Sequence, residues 1–248
     1  MPPKPRKSPA KKAPPPAAGG VNRNLLLVAG GAAVVIVALV AASLLLRGGD
    51  DSESSPTSTV APATVFDGIS QDRAVLGSED AAVTLIQFED MQCPVCRTYQ
   101  QDGFPRIVDE YVRTGKVKLR FVGMAFLGPD SEKALLHVLA AGAQGKLWQF
   151  ADALYANQGD ENSGWVTDEL LERLAGELEL DWEKLRTDAD GPAALQQANA
   201  MAAEAGQRKI PGTPWFYVQV GDGEPYEVRP GSFAIEEFRT ILDDALAG

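Results

Sequence analysis

The sequence predicts an α/β sandwich with a helical insertion, preceded by a single transmembrane helix. Three observations carry this. Residues 25–46, "LLLVAGGAAVVIVALVAASLLL", contain no charge. "AAVTLIQFED" (81–90) is apolar on both faces and is followed by a helical and then a second strand-like segment. After a long stretch of purely helical period, strand character returns near the C-terminus as a hairpin and a last helix.

In chain order, residues 1–24 form a Pro-rich basic tail, "MPPKPRKSPAKKAPPPAAGG" and the next four residues, which cannot bury a core and is expected to be disordered. The apolar run 25–46 would reach about 33 Å as a helix, enough to cross a hydrocarbon core. It is longer than a signal-peptide hydrophobic region and no A-x-A site follows closely, so an uncleaved anchor is expected, a cleaved signal being the alternative. Lys4, Arg6, Lys7, Lys11, Lys12 and Arg23 precede it, whereas Asp50, Asp51 and Glu53 follow. The positive-inside rule then keeps the tail cytoplasmic and exports the rest of a single-pass protein of the cell membrane. Residues 47–69, rich in Gly, Ser, Thr, Pro and Asp, read as a flexible linker, which leaves 70–248 as one domain, expected to be monomeric.

Charge narrows the function. Seven of the 23 Lys and Arg residues lie at or before Arg47, leaving 16 against 34 acidic residues beyond it. So acidic a domain argues against nucleic acid as a partner.

Within the domain, Val83 and Leu85 alternate with Ile86 and Phe88, as in a central strand covered on both sides. "RTYQQDGFPRIVDEYVRTG" (97–115) reads as mostly helix and "KVKLRFVGMAF" (116–126) as strand. From about 129 to 208 the period is helical throughout. Thr167 is placed as an N-cap, with Asp168 and Glu169 in the first turn and Leu171, Leu174 and Leu178 on one face. "PWFYVQV" (214–220) and "EPYEVRP" (224–230) form the hairpin, and a last amphipathic helix begins near Ser232.

The only two cysteines, Cys93 and Cys96, stand two residues apart just beyond the first strand. As a structural staple so short a loop is worth about 2 kcal/mol, against about 4.7 for a 100-residue loop. Structural zinc needs four ligands, usually from paired C-x-x-C motifs; a Cu(I) site from two thiolates and His137 is a further reading. The redox reading has the fuller mechanism. With Cys93 as N-cap, Pro94 takes the first helical position, where its missing N–H costs nothing. The backbone N–H groups of Val95 and Cys96 then point at the Cys93 sulfur and stabilise its thiolate. Cys96, one turn in, stays protonated. Lowering a thiol by about three units from about 8.5 takes roughly 4 kcal/mol. A helix dipole supplies up to about 2 kcal/mol, and charge-assisted N–H bonds must add the rest. A stabilised thiolate makes the disulfide the stronger oxidant, so the expected direction is disulfide donation.

Three segments, "F-E-D-M-Q-C-P-V-C", "GKLWQFADALYANQ" (145–158) and "I-P-G-T-P-W-F-Y-V" (210–218), resemble the DsbA-like thiol–disulfide oxidoreductases of the thioredoxin superfamily, in particular their membrane-anchored bacterial branch. The resemblance spans roughly 70–248 and implies a thioredoxin-like fold with its insertion at about 129–208. It implies that Pro214, preceded by Thr213, is the cis-proline that faces the cysteines and helps hold a substrate strand. It implies a protein disulfide oxidoreductase acting on exported cysteine-containing proteins, with no bound cofactor. A membrane quinone reductase of the DsbB or vitamin K epoxide reductase type would reoxidise it. A reductase or isomerase running the other way, a copper-binding module and a non-catalytic thioredoxin-like scaffold are the rival readings.

Two positions depart from the family. Members often carry an acid six residues before the first cysteine, where this chain has Gln87; Glu89 is the candidate proton relay in its place, set against a reading of Glu89 as a solvated loop acid. Val95 stands where the strongest oxidants have histidine, which predicts a milder oxidant. His137, Trp148 and Phe150 read as helix packing. Of Trp215, Phe216 and Tyr217, two are expected in the core and the third at a substrate rim. The acidic clusters at 159–161 and 177–183 read as solvated surface.

Overall fold

A computed structural model describes residues 64–248. The tail 1–24, the apolar run 25–46 and the linker up to residue 63 lie outside the described residues. The rest of the expected linker is folded, with a 3-10 turn over Thr64–Phe66 that buries Phe66 in the core and carbonyls of Val65 and Asp67 held by Arg113, an anchoring that a Gly-, Ser- and Thr-rich composition does not signal. Among the described residues no helix is long and apolar enough to cross a membrane.

A six-stranded sheet is built from β1 (Gln71–Asp72), β2 (Val75–Leu76), β3 (Val83–Asp90), β4 (Val117–Met124), β5 (Trp215–Val220) and β6 (Tyr226–Val228). Its order is β1-β2-β4-β3-β5-β6, so the strand that leads to the cysteines is central. All of β3 is buried, as a strand apolar on both faces must be. It runs parallel to β4, with Glu89 opposite Gly123, and antiparallel to β5, with Phe88 opposite Trp215.

The β3–β4 crossover holds α1 (Pro94–Asp102), α2 (Phe104–Ile107) and a π-helical turn over Val108–Val112. The sequence reads this crossover as mostly helix, and the structure adds a break at Gly103. A Cβ there would stand 2.2 Å from the Phe233 carbonyl oxygen, so only glycine lets the two segments approach. Tyr99 of α1 packs beside Phe104, Phe216, Phe233 and Phe238, an aromatic centre that fastens the crossover to the sheet. Each such buried ring contributes about 1.5–3 kcal/mol.

The insertion is helical as expected: α3 (Pro129–Gly142), α4 (Leu147–Ala156), α5 (Asp168–Glu177), α6 (Trp182–Ala189) and α7 (Pro192–Arg208). Thr167 caps α5, its hydroxyl accepting the Leu170 N–H at 3.2 Å. The last helix, α8 (Ile235–Ala247), starts three residues later than expected and buries Phe238 and Leu242. The β1–β2 hairpin is absent from the sequence reading: each strand has two residues, too few to display an alternation, and the turn runs through Arg73 at φ 48°.

Candidate active site

The cysteines sit where β3 ends and α1 begins. The last residue of β3, Asp90, organises the exit. Its carboxylate accepts the Gln92 N–H at 2.9 Å, the Ser131 hydroxyl at 2.5 Å, and the Phe126 and Leu127 N–H groups at 3.1 and 3.3 Å. One buried acid therefore joins the cysteine loop, the segment after β4 and the start of α3. The Cys93 N–H bonds back to the Asp90 carbonyl at 3.0 Å and closes the turn.

Cys93 is the N-cap of α1, with extended backbone at φ −71°, ψ 116° and Pro94 at the first helical position. Its Sγ accepts the Cys96 N–H at 3.4 Å and lies 3.3 Å from the Thr213 carbonyl oxygen, to which the thiol donates. The Thr213–Pro214 peptide bond is cis. Pro94 and Val95, the next two residues, are exposed, Val95 by 48%, whereas Cys93 itself is buried. The structure thus brings Cys93, Pro94, Val95, Cys96, Thr213 and Pro214 together.

The two thiols differ in acidity. A hydrogen bond from the Cys96 thiol pulls Cys93 down to about 6 against the opposing effect of burial; the Thr213 side chain and the backbone N–H groups of Cys96 and Val95 pull the same way. Burial pushes Cys96 well up, and the neighbouring Cys93 and Glu89 charges add to it.

Glu89 corrects one reading. Far from being a solvated loop acid, it is a β3 residue with no exposure. Its carboxylate accepts the Gln87 amide at 2.5 Å, the Gln100 amide at 3.0 Å and the Tyr155 hydroxyl at 2.8 Å. Burial is the main cause that raises it to about 7, while the Gln100 and Tyr155 donors hold it from going higher. Gln87 and Glu89 point to the same face of β3, because side chains alternate along a strand. The ionisable group has therefore moved two residues along that face towards the cysteines. The Gln87 side-chain oxygen Oε1 accepts the Tyr99 hydroxyl at 2.9 Å and closes the cluster.

Other residues singled out in the sequence lie elsewhere. His137 is buried in α3, its Nδ1 2.8 Å from the Lys133 carbonyl oxygen and its ring stacked on Trp182 at 6.2 Å. Burial lowers its pKa, which suits a packed neutral ring. Among the described residues no three His, Cys, Asp or Glu side chains are placed to hold a metal ion, so the Cu(I) site with His137 is not assembled. Trp148 and Phe150 are core residues, as are Phe216 and Tyr217. Trp215 is half-buried beside Pro214 under the Arg229 guanidinium, 4.7 Å from the ring centroid. Sequence reasoning missed Tyr155, Gln158 and Asn162. Gln158 donates to the Met91 and Cys93 carbonyls, and the Asn162 N–H donates to the Gln92 side chain. The motif ending in "YANQ" was the one sequence signal for Tyr155 and Gln158, and Asn162 lies beyond it.

A sheet of this order with a dithiol at a helix start opposite a cis-proline defines a thiol–disulfide oxidoreductase. Residues 70–244 match the family model described as thioredoxin, and the chain belongs to that family. It is 32% identical over 147 residues to the probable disulfide bond formation protein D of Bacillus anthracis, covering 58% of this chain and 68% of the relative. Its fold matches the crystal structure of oxidised BdbD from Bacillus subtilis with a TM-score of 0.62 at 28% identity, over 73% of this chain and 97% of that one. Crystalline α-DsbA1 of Wolbachia pipientis gives a TM-score of 0.62 at 20% identity, over 70% and 90% of the two chains, which shows the shared fold alone.

Proposed function

We propose that this protein donates its Cys93–Cys96 disulfide to exported proteins outside the cytoplasm. The observation that carries the reading is the position of Cys93 Sγ at the N-cap of α1, 3.4 Å from the Cys96 N–H and 3.3 Å from the Thr213 carbonyl. At that N-cap the Cys96 N–H stabilises the thiolate, while the Thr213 carbonyl accepts from the neutral thiol; the N-cap stabilisation makes the reduced enzyme the favoured product.

A substrate thiolate attacks Cys93 Sγ. The Cys93–Cys96 bond breaks, a substrate–Cys93 bond forms, and the electron pair leaves on Cys96. Glu89, protonated about half the time near pH 7, supplies the proton that Cys96 takes up. A second substrate thiolate then attacks the substrate sulfur, closing the substrate disulfide and releasing Cys93 as a thiolate. Two substrate thiols are oxidised and one enzyme disulfide is reduced. Thr213 and Pro214 present backbone to the substrate strand, and Pro94 with the Val95 N–H helps hold the thiolate. Reoxidation passes the electron pair to a membrane quinone reductase of the DsbB or vitamin K epoxide reductase type. An anchor at 25–46 would keep both proteins in one bilayer, with the stretch from 47 to 63 as the tether; the absence of charge in 25–46 and the basic residues before it support this.

The test is a Cys96→Ala trap in cells. Mixed disulfides through Cys93 with many exported proteins are the expected outcome; an empty trap would refute donation.

A further inference from the structure

The segment "GKLWQFADALYANQ" carries more than packing. Its first half is core, through Trp148 and Phe150. Its end reaches the redox site. The Tyr155 hydroxyl donates to Glu89 Oε2 at 2.8 Å and to the Asp90 carbonyl at 3.2 Å. Gln158 donates its side-chain amide to the Met91 carbonyl at 2.7 Å and the Cys93 carbonyl at 3.2 Å. The Gln158 carbonyl in turn accepts the Arg97 guanidinium at 3.3 Å. Tyr155 and Gln158 are three positions apart, the spacing that puts two side chains on one side of a helix end. Asn157 between them turns the other way, its side-chain oxygen accepting Arg173 at 3.0 Å from α5. Two side chains of the insertion thus hold the stretch that joins the buried acid to the Cys93 sulfur.

We propose that Tyr155 and Gln158 are positioning residues of the redox site, Tyr155 acting through the Glu89 carboxylate and Gln158 through the Cys93 peptide. This rests on the thiol-exchange reading above and assigns the insertion a part in it. A hydroxyl donating to a carboxylate favours the charged form, so Tyr155 keeps Glu89 available as a base when Cys96 must lose its proton. The groups facing Glu89 are Gln87 on β3, Cys93 and Cys96 at the start of α1, Tyr99 and Gln100 further along it, and Tyr155 on α4. Of these only Tyr155 comes from the insertion. Gln158 fixes the carbonyls on either side of residue 92, which keeps Cys93 Sγ over the Val95 and Cys96 N–H groups and beside Thr213.

The test uses the full-length chain and its Tyr155→Phe, Gln158→Ala and Gln158→Glu variants. Two quantities are read against pH: the thiolate absorbance of Cys93 in the reduced protein, and the rate at which Cys96 displaces glutathione from a Cys93–glutathione mixed disulfide. In that displacement the Cys96 proton goes to Glu89, the Cys93–Cys96 bond forms and glutathione leaves as its thiolate. Tyr155→Phe should move the displacement profile alkaline by about one pH unit, a change of up to about tenfold in rate below the midpoint, without raising the Cys93 midpoint. Gln158→Ala should raise the Cys93 midpoint by about half a unit, and Gln158→Glu, nearly the same size but anionic, by about one unit. Folded variants with wild-type profiles would overturn the inference, and so would a fall in melting temperature with both profiles unmoved, the result a packing role gives. Wild-type protein that fails to exchange with glutathione would sink the underlying reading as well; wild type that exchanges, with unaltered variants, would sink only this inference.

Discussion

Cys93 and Cys96 stand one helical turn apart and carry the same side chain, yet their surroundings push them in opposite directions. Cys93 lies half in and half out of α1, where N–H groups have no helical partner and a sulfur can accept them. Cys96 lies inside the helix, where those N–H groups are already used, and its sulfur faces the buried carboxylate of Glu89. The contrast is therefore one of pairing and position: Cys93 accepts from the Cys96 thiol and from the N–H groups at the helix start, whereas burial is what chiefly keeps Cys96 protonated. Four experiments break or sharpen that contrast.

The largest effect is expected from Cys93→Ser. It removes the only reachable sulfur and should abolish exchange with small thiols by about a thousandfold or more, measured by loss of the glutathione mixed disulfide. Next is Glu89→Gln, which leaves Cys93 in place but removes the proton acceptor for Cys96. Displacement by Cys96 should slow about 10–100-fold at pH 7 and lose its pH dependence near 7. The same substitution has an opposite effect on stability. Glu89 holds its proton to about 7 in the fold and loses it near 4.5 when unfolded, so this acid weakens the native state as pH rises through that window. Glu89→Gln should accordingly stabilise the protein above pH 7 by about 1–2 kcal/mol in chemical denaturation, and a loss of stability there would contradict the assignment.

Third comes Val95→His, which adds a donor and partial charge beside the Cys93 sulfur. The Cys93 midpoint should fall by about one unit and the enzyme should become more oxidising by about 30 mV against glutathione. An unchanged potential would show that residue 95 acts only through its backbone N–H. The smallest effect is the pH dependence of the wild-type dithiol. Cys93 titrates near 6 folded and near 9 unfolded, so the reduced protein gains stability as pH rises from 6 towards 9 and has none of this gain below 6. At pH 7 the gain is about 1 kcal/mol after solvent screening, readable as a shift in denaturation midpoint between pH 5.5 and 7.5 that the Cys93→Ser protein lacks.

What the sequence made legible follows the range over which each signal acts. The N-cap cysteine, Pro94 at the helix start, the buried central strand and the helical character of the insertion depend on neighbours a few residues away, and the reading placed them, although it named three of the five helices of the insertion. Glu89 was misjudged because its environment is made at a distance: Gln100 lies on the next helix and Tyr155 66 residues further on. An acid following Phe88 at the end of an apolar run reads as the start of a loop. The alternation Leu85, Gln87, Glu89 on one strand face was the signal that could have placed it inside. Gln158 was equally hidden, since nothing local marks a glutamine two residues past a helix as the partner of a carbonyl 65 residues before it.

Asp90 sets a limit on engineering. Because its one carboxylate ties together the residue before the nucleophile, the chain after β4 and Ser131 of α3, the insertion cannot be excised to leave a smaller working sheet. Cutting out 129–208 would take the Ser131 hydroxyl from Asp90, the Tyr155 hydroxyl from Glu89 and the Gln158 amide from the Met91 and Cys93 carbonyls, so any attempt to trim this chain to a minimal scaffold must first supply new partners for these groups.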